Sequence, residues 1–208
     1  GDLQIPRYGH SATSLADGRI VIAGGVDDAF FVSSVGRSEL YVAPEDRFHW
    51  VPSAPLPRAA HSATLLPDGS VAVAGGWINS AGRDGWRHFA TTATIEIFDA
   101  ATDTWRTGPD LQVPRFAHTA TLLQGGALLI VGGNRSYGDV PRVTYTTLRS
   151  SELRTEAGEP SFPVAELNDA RSHHTATLLA NGSVLVVGGR DRDQKPIASA
   201  ELLGPRPR

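Results

Sequence analysis

Four Arg-x-x-His segments are the first places in this 208-residue chain where residue type and spacing could do chemistry: Arg7 with His10, Arg58 with His61, Arg115 with His118, and Arg171 with His174. Four guanidinium–imidazole sets brought together would make a ring of cations able to hold an anionic ligand. A glutamate also recurs once per segment, at Glu39, Glu96, Glu152 and Glu201. A half-buried carboxylate needs a partner, and arginine offers a bidentate one. Recurrence in every segment favours this second use, structural Arg–Glu pairs, because repeated positions mainly serve packing between repeats. His173, His174 and Asp169 could suggest a metal, but adjacent residues on a strand point to opposite faces, so no metal site is expected. The pairs Gly24-Gly25, Gly75-Gly76, Gly132-Gly133 and Gly188-Gly189 open no helix and lack the Lys-Ser/Thr of a phosphate loop. No Gly-x-Ser-x-Gly elbow occurs. The non-repeating His49, His88 and Asp84 are scattered along the chain. No catalytic residue and no cofactor are therefore assigned.

These residues sit in an internal repeat, with histidines 51, 57 and 56 positions apart. Each unit predicts a first strand after the histidine, as in His61 to Leu66, and a second such as Ser70 to Ala74. The turns between them are Asp17-Gly18, Asp68-Gly69, Gln124-Gly125-Gly126 and Asn181-Gly182. Such residues accept the positive φ that tight hairpins require. The Gly-Gly pair closes the second strand. A third strand carries the glutamate, and a fourth carries an aromatic residue, Trp50, Trp105 or Phe162, offering buried area to a neighbour. The fourth unit has no such aromatic strand. Four-stranded units repeated four times predict an all-β propeller, with the last blade incomplete within the chain. The blades fall at about 6–51, 57–107, 114–164 and 171–203 in one domain, followed by a tail at 204–208.

The order Arg-x-x-His, turn, Gly-Gly, Glu and aromatic resembles the kelch repeat over nearly the whole chain. That resemblance implies four-stranded blades around a central channel, with proteins or small ligands bound by loops at one end. It implies six or seven blades in a complete ring, against four repeats here. Propellers of this type also occur in oxidases and sugar-modifying enzymes. The copper radical oxidases among them need a Cys–Tyr cross-link, and this chain has no cysteine. Asp2-Leu3-Gln4-Ile5-Pro6-Arg7 repeats Asp110-Leu111-Gln112-Val113-Pro114-Arg115, so the first repeat starts where an aromatic strand would have ended. The start at Gly1 points to processing or excision. Unpaired strand edges then predict a homodimer or a fragment of a longer propeller.

The stretches between second and third strands, 26–37, 77–92, 134–149 and 190–198, share no sequence. They fall at one end of the propeller. Loops on a rigid scaffold commonly carry recognition. Trp77, Arg83 and Trp86 in one, with Arg135 and Tyr137 in the next, are the candidate partner-binding residues, and the two loops should be neighbours. The competing use of the tryptophans is to cover strand edges.

The bulk numbers narrow the classes. Hydrophobic residues make up 40%, charged residues 20%, and the net charge is −3. These values give no electrostatic case for nucleic acid or an anionic membrane. No apolar run long enough to span a membrane occurs. One lysine against eighteen arginines suggests a bacterial source. Without cysteine the compartment is unread, and a secreted or cell-surface place is only slightly favoured. The expected function is a non-catalytic module that binds a protein or small ligand. The alternatives are a propeller domain of a carbohydrate-active or other secreted enzyme, and a structural, self-assembling half-propeller.

Overall fold

A computed structural model of the chain describes residues 1–27, 34–52, 55–81, 87–138, 142–155 and 161–204. It is all-β, with four antiparallel sheets arranged as the blades of a propeller. The first blade comprises β1 (Tyr8–Ser14), β2 (Ile20–Val26), β3 (Glu39–Val42) and β4 (Arg47–Trp50). The second comprises β5 (Ser62–Leu65) and β6 (Val71–Ala74), then β9 (Ile95–Asp99) and β10 (Thr104–Thr107). A hairpin of β7 (Trp77–Ala81) and β8 (Arg87–Thr91) is inserted between them. The third blade has β11 (Thr119–Leu122), β12 (Leu128–Val131), β15 (Ser151–Arg154) and β16 (Phe162–Pro163), with its own inserted hairpin of β13 (Asn134–Tyr137) and β14 (Thr144–Thr147). The fourth has three strands, β17 (Thr175–Leu178), β18 (Val184–Val187) and β19 (Ala200–Leu203). The stretches 77–92 and 134–149, expected as loops, thus contain regular hairpins.

The first turn of each blade explains its glycine. Leu15 N–H donates to Arg19 O at 2.8 Å and Gly18 N–H to Leu15 O at 3.1 Å, while Gly18 has φ +87°. That is a tight turn followed by a left-handed residue, a conformation glycine adopts without steric cost.

The core lies between blades. Side chains alternate along each second strand, so one strand serves two joints. Val71 and Val73 join Leu15, Val21, Leu40 and Val51 of the first blade, whereas Ala72 and Ala74 face Leu128 and Ile130 of the third. In the fourth blade Val184 and Val186 pack inward against Leu129, Val131 and Leu167. On its other face Val187 is 41% and Leu202 52% exposed.

The aromatics of the outer strands do not share one register. Trp50 lies opposite Glu39, Trp105 opposite Phe98, and Phe162 opposite Leu153. Side chains alternate, so Phe162, one residue out of register with Trp105, presents the other face, whereas Trp50, two residues out, lies further along its strand. Trp105 packs into the joint between the first two blades. Trp50 and Phe162 are exposed, and Trp50 lies under the Arg37 guanidinium at 5.3 Å.

Candidate functional site

Each repeat arginine lies within hydrogen-bond distance of its glutamate: Arg7 with Glu39, Arg58 with Glu96 and Arg171 with Glu201 at 2.7 Å, and Arg115 with Glu152 at 2.5 Å. The arginines also donate to backbone carbonyls. Arg58 Nη1 donates to Gly75 O at 2.7 Å and Thr94 O at 2.8 Å, and Nη2 to Thr94 Oγ1 at 2.8 Å. Burial disfavours the charge on Arg58, and Glu96 acts to restore it. The glutamates have further partners that the sequence pattern did not reveal. Glu39 accepts the backbone N–H of Gln4 at 2.8 Å, and Glu152 those of Gln112 and Val113 at 2.6 and 3.0 Å. Each Arg–Glu unit therefore ties the segment entering a blade to that blade's second and third strands. Apart from Arg171 Nε, which has no hydrogen-bond partner, the buried donors of the arginine set are committed within the protein.

The repeat histidines build the joints between blades. His61 Nε2 lies 2.8 Å from Ser11 Oγ, His118 Nε2 2.9 Å from Ser62 Oγ, and His174 Nε2 3.0 Å from Thr119 Oγ1. The ring of each packs over the Gly-Gly pair of the preceding blade. A Cβ on Gly24 would lie 2.4 Å from Arg58 O and 2.7 Å from His61 Cε1, and Gly75 and Gly132 meet the next blade in the same way. The residue before each histidine adds a third link. Ala60, Ala117 and His173 have φ of +51°, +51° and +55°. Their N–H groups donate to Gly9 O, Ala60 O and Ala117 O at 3.0, 2.9 and 2.9 Å. Burial beside arginine pushes the His61 pKa down to about 3 and that of His174 to about 4, and holds His118 well below its ordinary value. These imidazoles are neutral packing groups at neutral pH. His173 and His174 are bound into different contacts, and among the described residues no group of His, Asp and Glu is placed to hold a metal.

Among the described residues, the joint motif is unmatched at both ends of the blade array. Gly188 has nothing closer to a Cβ position than Ile197 O at 3.6 Å, and Thr175 is exposed. At the other end His10 is exposed.

The inserted hairpins supply the candidate binding surface. They are neighbours: Thr91 Oγ1 lies 2.6 Å from Ser136 Oγ, and Ser136 N–H donates to Thr91 Oγ1 at 2.7 Å. Trp77 is buried, at 7% exposure, and stacks on Phe89 with centroids 4.8 Å apart. Phe89 meets Phe116 and Tyr145 edge-on at 6.2 Å. Trp77 thus packs within its hairpin and against the scaffold rather than facing solvent. Arg83 and Trp86 lie outside the described residues. Arg135 and Tyr137 alternate with the buried Asn134 and Ser136, so both face outward, Tyr137 at 59% exposure. Thr144 and Thr146, across the hairpin, are exposed too. Tyr145, 50% exposed at the rim of the aromatic cluster, was missed by the sequence reading. Its only signal is the strand-forming run Thr144-Tyr145-Thr146-Thr147. Of the non-repeating groups, His49 pairs with Glu45 on the outer edge of the first blade, His88 lies in β8, and Asp84 lies outside the described residues.

No family model matches the chain. Several characterised proteins are similar to it. The F-box/kelch-repeat protein At1g51550 of Arabidopsis thaliana is 30% identical over 225 residues, covering 95% of this chain and 46% of that protein. The Kelch-like protein terF of Aspergillus terreus is 28% identical over 192 residues, covering 89% and 39%. Human Kelch-like protein 33 is 31% identical over 128 residues, covering 61% and 22%. The chain spans less than half the length of these relatives. All three are eukaryotic, and none supports the bacterial source suggested by composition.

Proposed function

We propose that this chain, a kelch-repeat β-propeller, is a non-catalytic interaction scaffold that presents its inserted hairpins to a protein partner. The observation that carries this reading is the division of labour in β13. Asn134 bonds the hairpin to Phe116 of the scaffold and Ser136 bonds it to the neighbouring hairpin, while Arg135 and Tyr137 are left facing solvent. Arginine and tyrosine are enriched at interface hot spots, and loops on a rigid frame are the usual carriers of recognition. The kelch names of the relatives support a scaffold of this kind. A photo-cross-linker placed at Tyr137, and separately at Thr102 on the opposite end of the blades, tests this in cells of the source organism. Defined protein adducts at position 137 that disappear with Arg135→Ala are expected. Equal labelling at both positions would count against it.

A second reading, self-assembly, is favoured by the unmatched joint halves. Arg7-x-x-His10 of one copy matches in chemistry the surface at Gly188 and Thr175 of another. Such a head-to-tail contact closes into a ring or continues as an open chain, depending on the angle between blades. Light scattering tests it. A monomer at high concentration, with the same mass for Gly188→Arg, would sink it.

A further inference from the structure

The two inserted hairpins stand side by side, and their strand edges differ in what they face. The edge of β7 meets the first blade, where Asn79 N–H donates to Ser34 Oγ at 3.0 Å and Asn79 O accepts from Ser34 N–H at 3.5 Å. The edge of β8 meets β13 through Thr91 and Ser136. β14 is paired with β13 alone. Beside it the fourth blade carries a tight turn in place of a hairpin: Asp191 N–H donates to Lys195 O at 3.0 Å and Gln194 N–H to Asp191 O at 3.1 Å. That turn meets β14 at its end, where Thr147 Oγ1 donates to Asp191 O at 3.2 Å. The rest of the edge, at Val143 and Tyr145, stands above the step between a long excursion and a short one.

The ladder fixes which backbone groups that edge offers. Leu148 N–H donates to Gly133 O at 2.8 Å, and bonded and unbonded pairs alternate along an antiparallel ladder. Arg135–Thr146 and Tyr137–Thr144 are therefore bonded pairs, and the N–H and C=O groups of Val143 and Tyr145 turn outward. Among the described residues nothing pairs with them. Residues 143–147 contain no proline and no charge, the usual means of blunting an exposed edge. Val143 and Tyr145 share one face, since side chains alternate. Tyr145 is 50% exposed and ends the aromatic cluster, 6.2 Å from both Phe89 and Phe116. Arg142 and Thr144 fall on the other face and are exposed, and the Arg142 guanidinium has no hydrogen bond or ion pair among the described residues. Resting on the reading of the hairpins as the recognition surface, we propose that the β14 edge is a strand-addition site for an extended segment of a protein partner, antiparallel to β14, in which apolar and acidic residues alternate. The apolar residues lie beside Val143 and Tyr145, and the carboxylates lie on the side of Arg142. Main-chain bonds hold the segment and the two faces select its side chains.

The probe is the fluorescein-labelled peptide Ser-Val-Glu-Tyr-Glu-Val-Ser, amidated at its C-terminus, titrated with the intact chain and followed by anisotropy. Saturable binding at one peptide per chain is expected. In the proposed pairing the N–H groups of the peptide's valines and tyrosine face β14 and those of its glutamates face away. N-methylation at the tyrosine should therefore weaken binding by about tenfold or more, and N-methylation at a glutamate should leave it unchanged. Val143→Pro removes an outward N–H that bonds nothing in the chain, so it should weaken binding while leaving the melting temperature unchanged. Arg142→Glu should weaken binding about threefold or more at low salt. Absence of saturation up to about 1 mM, or equal binding by the two N-methylated peptides, would overturn the proposal. Cellular adducts at position 137 that persist undiminished in Val143→Pro would also overturn strand addition, while leaving the hairpins as the recognition surface.

Discussion

At the scale of single residues, the buried arginines carry the heaviest structural duty. Arg58 is 1% exposed and donates to three carbonyls, a hydroxyl and a carboxylate. Arg58→Ala takes a partner from Glu96 and from three carbonyls, and should cost about 3–5 kcal/mol in denaturant unfolding, as should Glu96→Ala for the converse reason. Melting within a degree of the unaltered chain would deny the pair a structural role. Arg58→Lys should recover little, because a point charge cannot reproduce the planar fork. Trp77 and Tyr137 make a second contrast. Trp77→Ala removes a buried ring and should cost about 3–5 kcal/mol. Tyr137→Ala, at an exposed position, should stay within about 0.5 kcal/mol. Comparable losses for both would mean that the hairpin is fixed by its outer face.

Among the elements, the Gly-Gly bend shows what a repeat needs from its neighbour. Gly75 and Gly188 have nearly the same positive φ, +64° and +63°. A Cβ at Gly75 would lie 2.4 Å from Arg115 O, whereas one at Gly188 meets nothing closer than 3.6 Å. Gly188→Ala should therefore cost only the left-handed backbone penalty, about 1–2 kcal/mol. Gly75→Ala should cost distinctly more, because the third blade must shift. Equal losses in parallel unfolding measurements would refute the idea that the pair seats the next blade. The strands, the turns and the Arg–Glu pairing were readable because the repeat writes them four times. The carbonyls held by each arginine were not, since a backbone group leaves no mark in the sequence. The inserted hairpins occur once each, so no repeat exposed them. The differing registers of Trp50, Trp105 and Phe162 were not legible, because stretches of unequal length separate each from its repeat glutamate.

For the molecule as a whole, the three interior histidines predict an acid response. His61, His118 and His174 titrate below their ordinary value of 6.5 when folded, because burial and the nearby arginines oppose protonation. The unfolded chain therefore takes up protons first. Their contribution to stability is full above about pH 6.5 and is lost as pH falls toward the folded values, with each histidine adding about 1.4 kcal/mol per pH unit inside that window. Urea midpoints should fall between pH 7 and pH 5, before the carboxylates titrate, and less steeply in His61→Gln. A flat midpoint over that range would contradict the burial of these rings. The Ser/Thr-to-His contacts also give the array a direction, since every joint joins a hydroxyl of one blade to an imidazole of the next. Duplicating or deleting one whole repeat leaves both terminal surfaces chemically as they were. Blade number is therefore a quantity that genetic recombination can change in unit steps without inventing a new contact, and the angle between blades alone decides which counts close.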